Sequence, residues 1–185
     1  MQLAKSLSLV AISSSLFIAG CQSTSISVEE GKGAVVFPVT IDMGGAATNF
    51  ACRTIVIDIK EKFRSGRDLD KALTRSLPVG SKPPYVIADN LPPGEYTVTE
   101  YRCLPNVNWT LGGKSYLRKN TYISFEIYPN KITISDFAYR GKEKFKSGGG
   151  STFSTSFQYS TKEEEDRAIE ALIANGIPKG LEIDE

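Results

Sequence analysis

Histidine is absent from this 185-residue chain. That excludes a histidine general base, a Ser-His-Asp triad and the commonest metal ligand. Cysteine is nearly as scarce, with Cys21, Cys52 and Cys103 the whole set. Cys52 and Cys103 lie too far apart for a Cys-x-x-Cys redox pair, and no histidine can help them complete a zinc site. Net charge is lacking too, with 22 basic against 21 acidic side chains. Such a chain has no global field to draw in nucleic acid or an anionic surface. The one apolar run of note, Leu7 to Ile18, is shorter than the roughly 20 residues a bilayer requires. No cofactor and no metal are therefore expected, and no internal repeat is apparent.

What is present begins at the N-terminus. Lys5 supplies a positive start, the apolar run follows, and Ile18-Ala19-Gly20-Cys21 closes it. Small residues before a cleavage point mark a secretory signal, and the cysteine makes the segment closely resemble the lipobox of bacterial lipoproteins. The resemblance implies a lipid on the Cys21 thiol, cleavage after Gly20 and acylation of the new amine. The alternative is an ordinary cleavable signal with a chance cysteine. Two or more acyl chains hold a protein stably on a membrane. Gln22 is not the aspartate that the family associates with inner-membrane retention, so the expected place is the outer membrane, periplasmic face. Loss of residues 1–20 removes Lys5 and no acid, leaving a neutral chain of one-domain size.

Beyond a polar tether, Val35, Phe37, Val39 and Ile41 alternate as in a strand, with Pro38 suggesting an edge position or a bulge. Ile55, Ile57 and Ile59 mark a second strand, Tyr96 and Val98 another, and Ile123, Phe125 and Ile127 another. Residues 63–84 read as a long polar connection in which Asp68 to Leu73 can form a helical turn or two. Pro129-Asn130 turns the chain into Lys131 to Tyr139. Ser147 to Gly150 reads as a hairpin connection into alternating Phe153, Thr155, Phe157 and Tyr159. Ser160 or Thr161 can cap a helix whose first turn is acidic and whose Ile169, Leu172 and Ile173 form an apolar stripe. Asn175-Gly176 and Pro178 stop it. The expected fold is mainly β: an antiparallel sandwich of seven to eight strands with a C-terminal helix. The expected divisions are 1–20 signal, 21–33 lipidated cysteine and tether, 34–160 sandwich, and 161–185 helix and tail packed on it.

In an oxidising periplasm, Cys52 and Cys103 read most simply as one disulfide, the other reading being two inert thiols. By parity Cys52 lies opposite the Ile55/Ile57/Ile59 face and Cys103 opposite the Tyr96/Val98 face. Unless a bulge intervenes, the bridge belongs at a sheet rim or between neighbouring strands.

Leu91-Pro-Pro-Gly-Glu-Tyr-Thr-Val-Thr-Glu100 resembles the hairpin of transthyretin-like (prealbumin-like) sandwiches, including Cna-B-type surface domains. The Phe125 to Ile134 run is similar to the paired strands that follow in small bacterial lipoproteins of this fold. The match covers about a third of the chain after residue 20 and bears on architecture, since such sandwiches host many roles. Cna-B domains often carry a Lys–Asn isopeptide bond assisted by a glutamate. Glu100 occupies that place, but Ala34 to Ile41 has no lysine and Phe153 to Tyr159 no asparagine.

No catalytic constellation is present, and Asp68 with Asp70 reads as a solvated loop pair. Two basic–aromatic clusters stand out: Lys60, Lys62, Phe63, Arg64 and Arg67; and Arg140, Lys142, Lys144, Phe145 and Lys146. Each follows a strand, so both are candidates to gather at one end of a sandwich and meet an acidic envelope protein or an anionic glycolipid. The other reading is ordinary solvated loops. The expected function is a lipid-anchored, non-enzymatic structural or protein-interaction module. The alternative is a glycan or small-molecule binder using Trp109, Tyr101 and Tyr116 as platforms.

Overall fold

Alternation at Val35, Phe37 and Val39 builds the strand on which everything else is laid. In the computed structural model, which describes residues 26–44, 50–62, 73–79, 83–106, 111, 113–145 and 151–184, this strand is β1 (Gly33–Gly44). The others are β2 (Thr54–Glu61), β3 (Leu73–Pro78), β4 (Tyr85–Leu91), β5 (Gly94–Leu104), β6 (Leu117–Ile127), β7 (Lys131–Ile134), β8 (Phe137–Phe145), β9 (Ser151–Tyr159) and β10 (Glu182–Asp184), with helix α1 (Lys162–Asn175) between β9 and β10. The signal segment, Cys21, Asp68 and Asp70 lie outside the described residues. Among the described residues no helix is long and apolar enough to cross a membrane.

The strands make a six-stranded and a four-stranded sheet. The smaller one, in order β3-β2-β5-β6, is antiparallel throughout. The larger one is mixed. β1 pairs antiparallel with β4 on one side and parallel with β7 and then β8 on the other, while β10 runs parallel to β7 and β9 antiparallel to β8. Ten strands and parallel pairing thus replace the seven or eight antiparallel ones expected. The reason is that β7 and β8 form one interrupted line along β1. Ala34 lies beside Ile132, but Val39 lies beside Tyr139, so two extra residues intervene at the break. Ser135 at that break donates its amide to the Val36 carbonyl at 2.9 Å. By strand alternation Pro38 turns its donorless nitrogen to this same side. A proline expected at an edge or a bulge is therefore accommodated in a central strand, where its neighbour is broken.

The two sheets share one core. Val35, Phe37 and Val39 meet Ile55, Ile57, Ile59, Tyr96, Val98, Ile123 and Tyr139, all buried. Phe37 sets its ring edge-on to Phe125 and Phe157. A β-bulge in β5 changes which side chains reach this core. Asp58 pairs with Glu100 and Ile59 with Val98, leaving Thr99 as an extra residue. Tyr96 and Val98 face inward before it, and Tyr101 and Cys103 face inward after it. Cys103 thereby comes opposite Ile55 and bonds to Cys52, with Cα atoms 5.4 Å apart. Both cysteines are fully buried, so the disulfide joins neighbouring segments but lies in the core, not at a rim.

The Leu91-Pro-Pro-Gly94 segment is not a hairpin. β4 belongs to the larger sheet and β5 to the smaller, so the prolines carry the chain from one sheet to the other. Tyr96 closes this corner by donating its hydroxyl to the Pro92 carbonyl at 2.7 Å. A tyrosine reaching back a few residues to backbone is a corner device of sandwich folds.

Behind the larger sheet lies α1. Thr161 caps it: its hydroxyl accepts from the Glu164 amide while the Glu164 carboxylate accepts from the Thr161 amide. Ala168 and Leu172 pack on Ala34, Val36, Tyr85 and Ile132. These last alternate with the residues facing the other sheet, so β1 is buried on both faces. The helical stripe is Glu164, Ala168 and Leu172; Ile169 is half-buried and Ile173 is 58% exposed. Part of the expected tether is docked in the same layer. Ile26 is buried there, Val28 packs beside it, and Asn90 and Asn130 accept from the Glu29 and Gly31 amides.

Candidate functional site

On β8 the strand alternation separates two sets of polar residues. Tyr139, Gly141 and Glu143 point between the sheets, while Arg140, Lys142 and Lys144 lie on the outer face. Lys142 pairs with Asp42 on β1 at 2.5 Å. Hydrogen bonding from Lys142, then its charge, holds the Asp42 carboxyl below its ordinary pKa, with Lys144 adding a smaller effect. Lys144 is exposed and forms no ion pair among the described residues. Arg140 is occupied elsewhere: it grips Glu164 of α1 and contacts Gln158 and the Tyr159 carbonyl. Lys146 lies outside the described residues, and only the backbone of Phe145 is described.

The described lysines of the other basic cluster, Lys60 and Lys62, do not join these. Glu61, at the end of β2, pairs with Tyr96 just beyond the Leu91–Gly94 corner. Leu91 in turn lies beside Gly33, at the start of β1. Lys144 instead pairs with Gly44, at the end of β1. Among the described residues, Lys60 and Lys62 therefore stand at the opposite end of the two sheets from Lys142 and Lys144. Lys62 is bound to Glu95 at 3.0 Å, and that hydrogen bond raises its pKa. Phe63, Arg64 and Arg67 lie outside the described residues.

Of the aromatic-platform residues, the two described ones, Tyr101 and Tyr116, differ in burial. Tyr101 is buried, shares a 3.0 Å hydrogen bond with the Thr155 hydroxyl, and has its pKa raised by burial. It is core, not a platform. Tyr116 is 45% exposed and lines an open depression of about 530 Å³ with Lys114, Leu117 and Arg118. Trp109 lies outside the described residues. Glu100, which stands in the place of the Cna-B glutamate but lacks the lysine and asparagine partners, has its side chain 13% exposed and is ion-paired with Arg118. Arg102 beside it reaches Asp58 at 3.0 Å.

Alternation alone identifies a residue that the charge pattern hides. Glu143 stands between two exposed lysines yet is 3% exposed, sharing the inward parity of Tyr139. Its carboxylate accepts from the Ala51 amide at 3.0 Å and from the Ser151 hydroxyl at 2.5 Å. It thus ties the entry to β2 and the start of β9 to the end of β8. Lys142 and Lys144 consequently sit on backbone held from beneath, with Lys142 paired to Asp42 and Lys144 exposed beside it. Among the described residues no group of three or more Cys, Asp or Glu side chains is placed to hold a metal ion.

No protein-family model matches the chain, and no curated protein matches it. Among solved structures it is similar to a leucine-rich repeat protein from Bacteroides thetaiotaomicron, at 18% identity and a TM-score of 0.32. That similarity covers 57% of this chain and 13% of the other, and it assigns neither fold nor activity here.

Proposed function

We propose that this chain is a lipid-anchored, non-enzymatic protein of the bacterial envelope, held at the outer membrane and facing the periplasm, where it serves as a protein-interaction module. The domain is read as a transthyretin-like or immunoglobulin-like sandwich. Two sheets around one core and the Tyr96-closed corner support that reading, although parallel pairing in the larger sheet departs from the resemblance.

What supports the proposal is the lipobox-like segment in the sequence, taken with the position of the basic strip, Lys142 and Lys144. Cys21 precedes the docked Ile26 by five residues, a reach of about 17 Å when fully extended. A lipid on Cys21 would keep the domain close to the bilayer. The docked segment is fixed by Asn90 and Asn130 near the start of β1. Lys142 and Lys144 lie at its other end, and twelve residues of strand span about 40 Å. The basic strip is thus remote from the point where the tether joins the domain, and the partner it fits carries carboxylates or phosphates.

Metabolic labelling with a fatty-acid analogue tests the anchor. The wild type should take up label and fractionate with membranes, and Cys21→Ala should do neither; label retained in Cys21→Ala overturns it. For the strip, the lipidated protein is purified from native envelopes with whatever it binds. Lys142→Glu combined with Lys144→Glu should weaken partner recovery, and unaltered recovery at low salt removes the strip from the proposal.

A further inference from the structure

Among the described residues β9 is an edge strand: it pairs only with β8, and over its nine residues it carries no charge, proline or glycine. Long uncharged edges are templates for pairing with another chain, and proteins commonly block them with lysine or proline. The direction of its free backbone groups follows from one bond. Ser160 donates its amide to the Asp136 carbonyl of the β8 side at 2.8 Å. By alternation the even-numbered residues of β9 face β8, and Ser151, Phe153, Thr155, Phe157 and Tyr159 present their amides and carbonyls to the open side.

The sequence of β9 is nearly palindromic about Thr155. Ser154 and Ser156 flank it, then Phe153 and Phe157. Two copies paired antiparallel about a two-fold axis would set Thr155 opposite Thr155 and Phe153 opposite Phe157 of the second copy. Aromatic and hydroxyl pairs of this kind are favourable across strands, and the absence of charge removes the like-charge clash that two-fold pairing usually creates. Phe153 and Phe157 are both only half-buried in the single chain.

One side chain occupies the centre of this edge. Lys119 of β6, the edge strand of the other sheet, pairs in register with inward-facing Tyr101. It extends across the open side of the sandwich, and its ammonium donates to the Thr155 carbonyl oxygen. The Tyr159 carbonyl, also on the free edge, accepts from Arg140 at 3.0 Å.

We propose that the β9 edge is a self-complementary surface for a second copy of this chain, and that Lys119 guards it by capping the Thr155 carbonyl at the two-fold centre. The guard opens when the ammonium is displaced. Pairing at the two-fold centre sacrifices the charge-assisted hydrogen bond of Lys119 in each copy, so removing that charge should favour association by about a hundredfold or more.

The test uses the full chain in mild detergent, with cross-linking and light scattering across a concentration series. Lys119→Met keeps the aliphatic stem and loses the charge; it should shift the chain from monomer towards dimer. Adding Ser154→Glu and Ser156→Glu places like charges opposite each other in the dimer but beside Lys142 and Arg140 within each copy, so it should restore the monomer. A folded Lys119→Met chain that stays monomeric overturns the proposal, as does a dimer that persists with both glutamates. Amide exchange on the wild type gives a reading that needs no substitution. Phe153, Thr155 and Phe157 should exchange quickly while Ser154 and Ser156 are protected; protection of the odd-numbered set would show the edge already covered and overturn the proposal.

Discussion

Arg140 on β8 holds Glu164 on α1 through two hydrogen bonds, Nη2 to Oε2 at 2.7 Å and Nε to Oε1 at 3.0 Å. The same carboxylate accepts from the Thr40 hydroxyl at 2.8 Å and from its own N-cap amide. One glutamate therefore caps the helix, pairs with the sheet beneath it and lies 6% exposed at the junction. The capping box and the docking of α1 are a single device.

This device makes stability depend on pH. The hydrogen bond from Arg140, with further ones from the Thr161 backbone and Thr40, outweighs burial and lowers the Glu164 pKa from 4.5 to about 2. A carboxyl with a depressed folded-state pKa stabilises fully above its unfolded value, and the contribution fades as pH falls from about 4.5 towards 2. The full contribution is at most about 3 kcal/mol. Glu164→Gln should lose most of it at pH 7, and the gap to wild type should close by about pH 2 in urea titrations. A gap independent of pH would refute the assignment.

Leu172 is fully buried against β1 and Tyr85, whereas Ile173 is 58% exposed. Leu172→Ala should cost roughly 2–5 kcal/mol, and Ile173→Ala should stay within about 0.5 kcal/mol. Equal costs in equilibrium unfolding would show that the helix docks on a different stripe.

Much of this was legible from periodicity. The alternating faces of β1, β2 and β6, and the capped acidic start of α1, are local signals that tertiary packing reinforces. The misreadings came from irregularities lasting one or two residues. The bulge at Thr99 reverses the parity of Tyr101 and Cys103, and so puts in the core a disulfide that parity without a bulge placed at a rim or between neighbouring strands. The break at Ser135 and Asp136 lets β7 and β8 line β1 in parallel around Pro38, and no local pattern announces a partner a hundred residues away. β3, with only Leu77 buried in Leu73–Pro78, carries too little apolar pattern to read as a strand. At the candidate site, the exposed lysines followed from charge alone, but Glu143 needed the inward parity of its strand neighbours, and the separation of Lys60 and Lys62 from Lys142 and Lys144 needed the register.

The Cys52–Cys103 bond closes a loop of 51 residues, which the chain-entropy view values at about 4 kcal/mol. Replacing both cysteines with alanine should lower stability by an amount of that order. Because both are fully buried, mild reductant should leave the native bond intact until the chain opens. Peptide mapping without reductant should recover the two cysteines linked, and ready alkylation of both in fresh native protein would refute the bond.

Glu143 offers the sharpest separation of charge from hydrogen bonding. Its two oxygens accept from different donors, the Ala51 amide and the Ser151 hydroxyl. Glutamine can keep both contacts: its carbonyl accepts from the amide, and its NH₂ donates to the serine oxygen, which serves equally as acceptor. Leucine can keep neither, and it leaves the amide of buried Ala51 without a partner. Glu143→Gln should therefore change stability by less than about 1 kcal/mol, with a gain allowed because a buried charge is removed. Glu143→Leu should cost roughly 1–3 kcal/mol and speed amide exchange at Ala51. If glutamine proved as costly as leucine in denaturant titrations, the carboxylate would be answering a positive charge instead of tying down the entry to β2 and the start of β9.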